Sequence, residues 1–318
     1  MLGVLVLAAA AVRLLLGDFT VSLPDFLRIL GGAEIPGATY IITGSRLPRV
    51  AVAVMVGAAL GVAGTIFQTM LRNPLASPDI IGVSQGASAA AVAAIVLAGA
   101  AGPVVSLAAL AGALVVALVM HLLSRSASLG GDRFVLVGIG VAAIAQAAIN
   151  FLLTRADLRT AQDALLWLMG SLGPATADRA AQLGVALAVL LPLTALLARR
   201  LSVLELGHEV AAGLGVRVRP AVLGLTVVAV ALTASATAAA GPVAFVAFLA
   251  GPIARRLLGG RPSLLLGALT GALIVLVADH VAAEVLPVSL PVGVVTGATG
   301  APFLLWLLAA KNRGGRSQ

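Results

Sequence analysis

The sequence predicts an all-α membrane protein, a polytopic bundle of about ten transmembrane helices. Three observations predict it. Hydrophobic residues make up 61% of the chain and charged ones 10%, with a mean hydropathy of +1.14; soluble domains carry roughly 25% charged residues. Apolar runs long enough to cross a hydrocarbon core of about 30 Å recur along the whole length. Thirty-six glycines, many alanines and only 3% aromatics suit helices that pack tightly on one another in lipid.

Taken in order, the predicted spans are 1–16, 48–70, 80–98, 103–123, 134–154, 180–198, 220–239, 243–256, 264–282 and 290–309. The first is short. It lacks a basic leader, and Arg13 sits inside the apolar part, so a cleaved signal peptide is disfavoured. The second is the most informative. Arg46-Leu47-Pro48-Arg49 precedes about twenty residues without charge, and Arg72-Asn73-Pro74 ends them. Gly57, Gly61 and Gly64 share one helical face, where a second helix can come close, so this span belongs in the interior. The segment 155–179 mixes charge with Leu165, Leu166, Trp167 and Leu168 and reads as an interfacial helix on the outer face. The eighth span is bracketed by Gly241-Pro242 and Gly251-Pro252 and reads as a half-span or broken helix. No linker or composition shift divides the chain, so residues 1–318 form one transmembrane domain.

Charge orients the bundle. With the N-terminus inside, thirteen Arg or Lys residues fall on inner segments and six on outer ones, Arg13 being left uncounted. That bias places both termini in the cytoplasm. It also accounts for the net charge of +8 without nucleic acid.

Several chemistries are excluded. There is no cysteine, and the one lysine, Lys311, precedes Asn312 in the tail. A nucleotide-binding P-loop needs a glycine loop ending in Gly-Lys-Ser/Thr. His121, His208 and His280 are scattered, with no second ligand at helical spacing, so no metal site is assigned. No catalytic constellation lies in a span. Ion-coupled pumps place ionisable groups at mid-membrane; here Asp279 and His280 lie near an outer end, and Gln68, Gln146 and Asn150 are neutral. Those amides read as interhelical hydrogen-bonding groups slightly ahead of pathway residues.

The inner segment 201–219 is longer than a minimal turn requires, and long loops in compact folds are usually functional. Glu205, Glu209 and the run Ala211-Ala212-Gly213-Leu214-Gly215 predict a short helix broken at glycine and presented to the cytoplasm. Such a helix is a docking element. Glycines at 213 and 215 are expected to make the turn after it.

Over nearly its whole length the chain resembles the FecCD family, permease subunits of ATP-binding-cassette importers for ferric siderophores, haem and cobalamin. The residues that carry the resemblance begin with Arg46-Leu47-Pro48-Arg49, Gly57 to Gly61, and Gln68 with Arg72-Asn73-Pro74-Leu75-Ala76. Further along come Gly82 with Gly86-Ala87, Trp167 with Gly170-Ser171-Leu172, Leu206-Gly207, Leu214-Gly215-Val216, Gly241-Pro242 with Phe245-Val246, and Leu290 to Thr296. Ser77 to Gly82 and Ala254-Arg255-Arg256 are most similar to the ferric-enterobactin branch. The resemblance implies an importer in a bacterial cytoplasmic membrane, with no cofactor of its own. Cytoplasmic ATPase subunits, an extracytoplasmic binding protein and a second permease, identical or homologous, are the implied partners. It implies that Arg46 and Arg49 dock the binding protein and that Asn73, Pro74 and Leu75 lie at the inner gate. It also implies that Glu205, Gly207, Glu209, Ala211, Ala212, Gly213, Leu214 and Gly215 couple to the ATPase. The family's usual arginine after the ninth span is replaced at Ala283, followed by Glu284, so no docking residue is assigned there. The alternative from another class is an ion-coupled secondary transporter built of inverted repeats; within the importer reading, haem or cobalamin are the alternative cargoes.

Overall fold

A computed structural model describes residues 1–17, 19–79, 82–124 and 131–314. Arg125 and Arg316, which entered the charge balance, lie outside the described residues, as do Asp18 and Ile80 and Ile81 of the 77–82 motif. The described residues form helices, turns and loops, without a strand. In order they are α1 (Leu2–Leu15), α2 (Leu23–Leu30), a π-helical turn (Tyr40–Arg46), α3 (Leu47–Met70), α4 (Val83–Ala98), α5 (Pro103–Ser124) and α6 (Gly131–Arg155). Then follow α7 (Leu158–Leu168), α8 (Ala177–Leu204), α9 (His208–Gly213), α10 (Val218–Ala240), α11 (Val246–Leu257), α12 (Leu264–His280), a second π-helical turn (Val281–Val285) and α13 (Val292–Gly314).

Each of the ten segments expected from hydropathy contains a helix among its described residues. Among the described residues, six stretches are long and apolar enough to cross a membrane: Tyr40–Met70, Pro103–Met120, Leu136–Arg155, Ala177–Leu204, Val218–Ala240 and Leu264–Val285. Leu2–Leu15, Val83–Ala98 and Val292–Leu305 are shorter apolar helices. The eighth segment forms the 12-residue helix α11, preceded by Gly241-Pro242 as expected; Gly251-Pro252, expected to end it, instead lies inside it, and the helix runs on to Leu257. The break before it is sharp, because Phe245 adopts a positive φ of 64° there. The inner loop expected from residue 199 starts later, since α8 runs on to Leu204 and carries Pro192 inside it.

The interior span is α3. In its apolar window 78% of residues are buried, against 17% for the outer helices α6 and α8. The glycine face explains how neighbours reach it. A Cβ at Gly57 would collide with the backbone of Gly271, one at Gly61 with Gly267, and one at Gly64 with Ala247. So α12 and α11 lie backbone to backbone against α3, which is possible only where no side chain intervenes. The same device joins α4 to α5 through Gly86 and Gly112. Gly61→Leu should therefore be among the most damaging single substitutions in the spans, costing roughly 1–3 kcal/mol or more by overpacking. Gly213→Ala, where nothing lies within 4 Å of an added Cβ, should leave the detergent melting temperature unchanged; thermal unfolding of both variants checks this.

Three dispersed motifs meet at one junction. Ser171 N–H donates to the Ala240 carbonyl (2.7 Å) and Gly293 N–H to the Gly170 carbonyl (3.2 Å). Gly170 and Gly241 take φ of 66° and 72°, and a Cβ at Gly170 would strike the Pro242 carbonyl. Glycine alone tolerates both the conformation and the approach. Nearby, α7 is the amphipathic helix expected over 155–179, capped by Asp157, whose carboxylate accepts from the Arg159 and Thr160 N–H groups. The Thr160 backbone bond, then its hydroxyl, hold that carboxyl below the usual range. The cap is present above the ordinary aspartate range and fades as pH falls through the lowered value.

Candidate functional site

Two polar constructions stand at opposite ends of α3. Where α3 begins, four charged side chains from three parts of the chain converge. Arg13 Nε donates to Asp279 Oδ2 (2.9 Å) and its Nη1 to Glu284 Oε1 (2.9 Å). Arg49 grips the same Asp279 carboxylate from the other side, with Nη2 to Oδ1 at 2.8 Å and Nε to Oδ2 at 3.0 Å. The Asp279 side chain is 1% exposed and that of Arg13 5%. Arg46, also buried, donates from Nη1 to the Leu14 carbonyl (2.9 Å) and from Nη2 to the Phe19 carbonyl (2.6 Å). A buried carboxylate shared by two guanidiniums is how charge survives in a low-dielectric interior. The sequence reading missed this cluster, although Arg13 inside an apolar helix was its signal.

Of the pair expected at the outer lip, Arg46 is thus turned inward and Arg49 is about a quarter exposed. Glu284, which stands after the position of the missing arginine, is an acidic member of this same cluster.

Where α3 ends, the chain reverses tightly. Asn73 N–H donates to the Gln68 carbonyl, and Asn73 Oδ1 accepts from Leu75 N–H at 2.9 Å. Asn73 is exposed, while Pro74 and Leu75 are half-buried. Arg72 takes a positive φ of 49°, and its Nη1 would lie 3.2 Å from a Cβ at Gly207. The expected gate residues and the expected coupling segment are therefore neighbours. Asp79 in the same reversal bonds to the Ser84 hydroxyl; burial raises its carboxyl above the usual range, and that bond offsets the rise in part.

The coupling segment is a bracketed helix. Gly207 at φ 110° opens it and Gly215 at φ 85° closes it. Gly213 ends α9 without a positive φ, so the hinge expected at 213 and 215 is instead at 207 and 215. Ala211 is fully buried and faces the bundle, whereas Glu209, Ala212, Gly213 and Leu214 are exposed. Leu206, Val210 and Leu214 are 59%, 50% and 63% exposed; Val210 lies on α9 and the other two just beyond its ends. Glu205 points the other way, accepting from Arg255 Nη1 at 3.3 Å, while Arg255 Nη2 donates to Thr69 Oγ1 at 2.8 Å. Glu205 thus ties the segment to α11 and α3.

Of the amides, Gln68 makes the expected interhelical bond, Nε2 to the Phe248 carbonyl at 3.0 Å. Gln146 and Asn150 differ. They bond to each other along α6 at 3.1 Å and are exposed.

Residues 4–310 match the FecCD transport family. The chain belongs to that family. Among its FecCD relatives, the ferric enterobactin transport system permease protein FepG of Escherichia coli (strain K12) is 41% identical over 299 residues, 93% of this chain and 91% of FepG. The achromobactin transport system permease protein CbrC of Dickeya dadantii (strain 3937) is 41% identical over 309 residues, 96% of this chain and 88% of CbrC. A solved metal-chelate type ABC transporter in an inward-facing conformation superposes with a TM-score of 0.85 at 25% identity, covering 97% of each chain. The architecture is accordingly that of a FecCD membrane permease.

Proposed function

We propose that this FecCD chain is the membrane-spanning subunit of an ATP-binding-cassette importer that carries a ferric siderophore into the cytoplasm of a bacterium. The observation that carries this reading is 41% identity, over nine-tenths of the chain, to permeases named for two different siderophores. The bundle makes about ten passes through the inner membrane, one of them through the short helix α11, with both termini in the cytoplasm. The Arg49 end then faces outward, and the Arg255 end faces a separate ATPase. The α9 segment docks on that ATPase through Leu206, Val210, Ala212 and Leu214; Glu205, Arg255, Thr69, Gly207 and Arg72 transmit its movement to Asn73, Pro74 and Leu75 at the inner gate. A bundle of packed helices conducts movement through such rigid contacts. The exposed amides of α6 support a second permease subunit, because polar side chains on a span are costly against lipid. Their face turns to the partner permease and the passage between the two subunits.

At the outer end, Arg49 meets a carboxylate of the binding protein through its exposed edge, and Arg46 holds the lip in shape by gripping Leu14 and Phe19. Arg49→Met should raise the dissociation constant for the binding protein and flatten its salt dependence, as rim charges do. Unchanged affinity and salt dependence would place docking elsewhere.

Cargo is tested by uptake into vesicles containing the assembled importer. Competition by ferric siderophores, and none by haem or cobalamin, is the expected pattern. Preferential competition by haem or cobalamin would reassign the substrate.

A further inference from the structure

We propose that Gln68 is a positioning residue for the coupling contact: its amide replaces the helix bond that Pro252 removes from α11, and so fixes where α11 presents Arg255. The bond belongs to this chain alone; its consequence for transport rests on the importer reading. In an α-helix the Phe248 carbonyl would accept from the N–H four residues on, and that residue is Pro252, which has none. The proline ring also crowds that same carbonyl. Gln68 Nε2 donates to it at 3.0 Å, from a residue 2% exposed. A side chain of α3 thus supplies the donor that α11 lacks.

The other end of the amide fits the same place. Gln68 Oε1 has no hydrogen-bond partner among the described residues, and it lies against Gly251, where an added Cβ would collide with it. Exchanging the two ends would set oxygen against the Phe248 carbonyl oxygen, so the orientation is fixed. Gly251 serves a second purpose, since a Cβ just before proline disfavours helical backbone. On either side of this device α3 grips α11 again. A Cβ at Gly64 would strike the Ala247 backbone, and Thr69 Oγ1 accepts from Arg255 Nη2 at 2.8 Å. Arg255, just beyond the proline, also meets Glu205 at 3.3 Å. Proline lets the last turn of α11 bend. The Gln68 bond holds that bend at one angle, and with it the aim of Arg255 at the coupling segment.

The chain has no cysteine, so nitroxides can be attached through Leu258→Cys after α11 and Leu223→Cys on α10, both exposed positions. Their separation is read by pulsed electron paramagnetic resonance on the purified full chain in detergent. Gln68→Met removes the amide; it should broaden the distance distribution and lower the melting temperature by about 2–6 °C. Adding Pro252→Ala, which returns an N–H to the Phe248 carbonyl, should narrow the distribution again and recover the melting temperature. Lost packing alone would not be recovered in this way. In the assembled importer, Gln68→Met should lower uptake about tenfold, and Pro252→Ala in the same chain should restore most of it. Gln68→Asn, one methylene short, is the second variant should Gln68→Met not fold. An unchanged distribution in the folded variant, or changes that Pro252→Ala leaves in place, would overturn the device. Distances that broaden and recover while uptake stays at the wild-type level would overturn its role in coupling. Resonance and melting need neither ATPase nor cargo, so their failure would leave the importer reading standing.

Discussion

Asp279→Ala will destabilise the folded chain by about 3–5 kcal/mol, the cost of removing one partner from a buried ion pair. Two guanidiniums, Arg13 and Arg49, close on that carboxylate, and water cannot replace it at 1% exposure. Asp279→Asn keeps the shape and an acceptor but loses the charge, so it should fall between alanine and wild type. Asp25, whose pair with Arg28 is exposed and 3.8 Å long, is the control: Asp25→Ala should cost at most about 1 kcal/mol. Thermal unfolding in detergent separates these outcomes, and equal melting temperatures for the Asp279 and Asp25 variants would show the cluster to be ornamental. Because Arg13, Arg49 and Glu284 share one network, their losses should not add.

Ala212→Trp will abolish uptake and the stimulation of ATPase activity by loaded binding protein, while membrane insertion and outer docking survive. Ala212 is exposed on α9, so an indole there projects from the segment proposed to seat in the ATPase. Gly213→Val should act in the same direction, since nothing inside the chain lies within 4 Å of its added Cβ. Ala211→Trp is a different experiment: Ala211 is buried, and that substitution should lower expression and stability instead. A passive connector would tolerate the exposed changes. Wild-type transport by well-expressed Ala212→Trp and Gly213→Val proteins would move the search for the coupling contact to the Arg255–Pro262 loop.

The apolar helices were legible because lipid imposes a length and a composition on such segments, and α3 was legible as the interior one because Gly57, Gly61 and Gly64 recur at helical spacing. The partner of that face was not: Gly267 and Gly271 lie some two hundred positions further along, and no periodicity connects the two. The cluster at the start of α3 was hidden for the same reason, since Arg13 and Asp279 are 266 residues apart. Read alone, Arg46 and Arg49 are two basic residues at a helix start, and only the fold shows one turned inward and the other clasping Asp279. The short inner helix was visible from its glycines and length. Its hinge was misread at Gly213 because composition marks which residues can turn, whereas the direction in which the chain leaves α8 decides that Gly207 does.

Whether ATP hydrolysed on a separate subunit drives this permease is decided in proteoliposomes. They contain this chain, its second permease subunit and the ATPase, with binding protein and labelled ferric siderophore outside. Accumulation is expected to require ATP on the α9 side and to persist when proton and sodium gradients are collapsed. Accumulation that proceeds without ATP and vanishes with an ion gradient would contradict this and identify a secondary transporter.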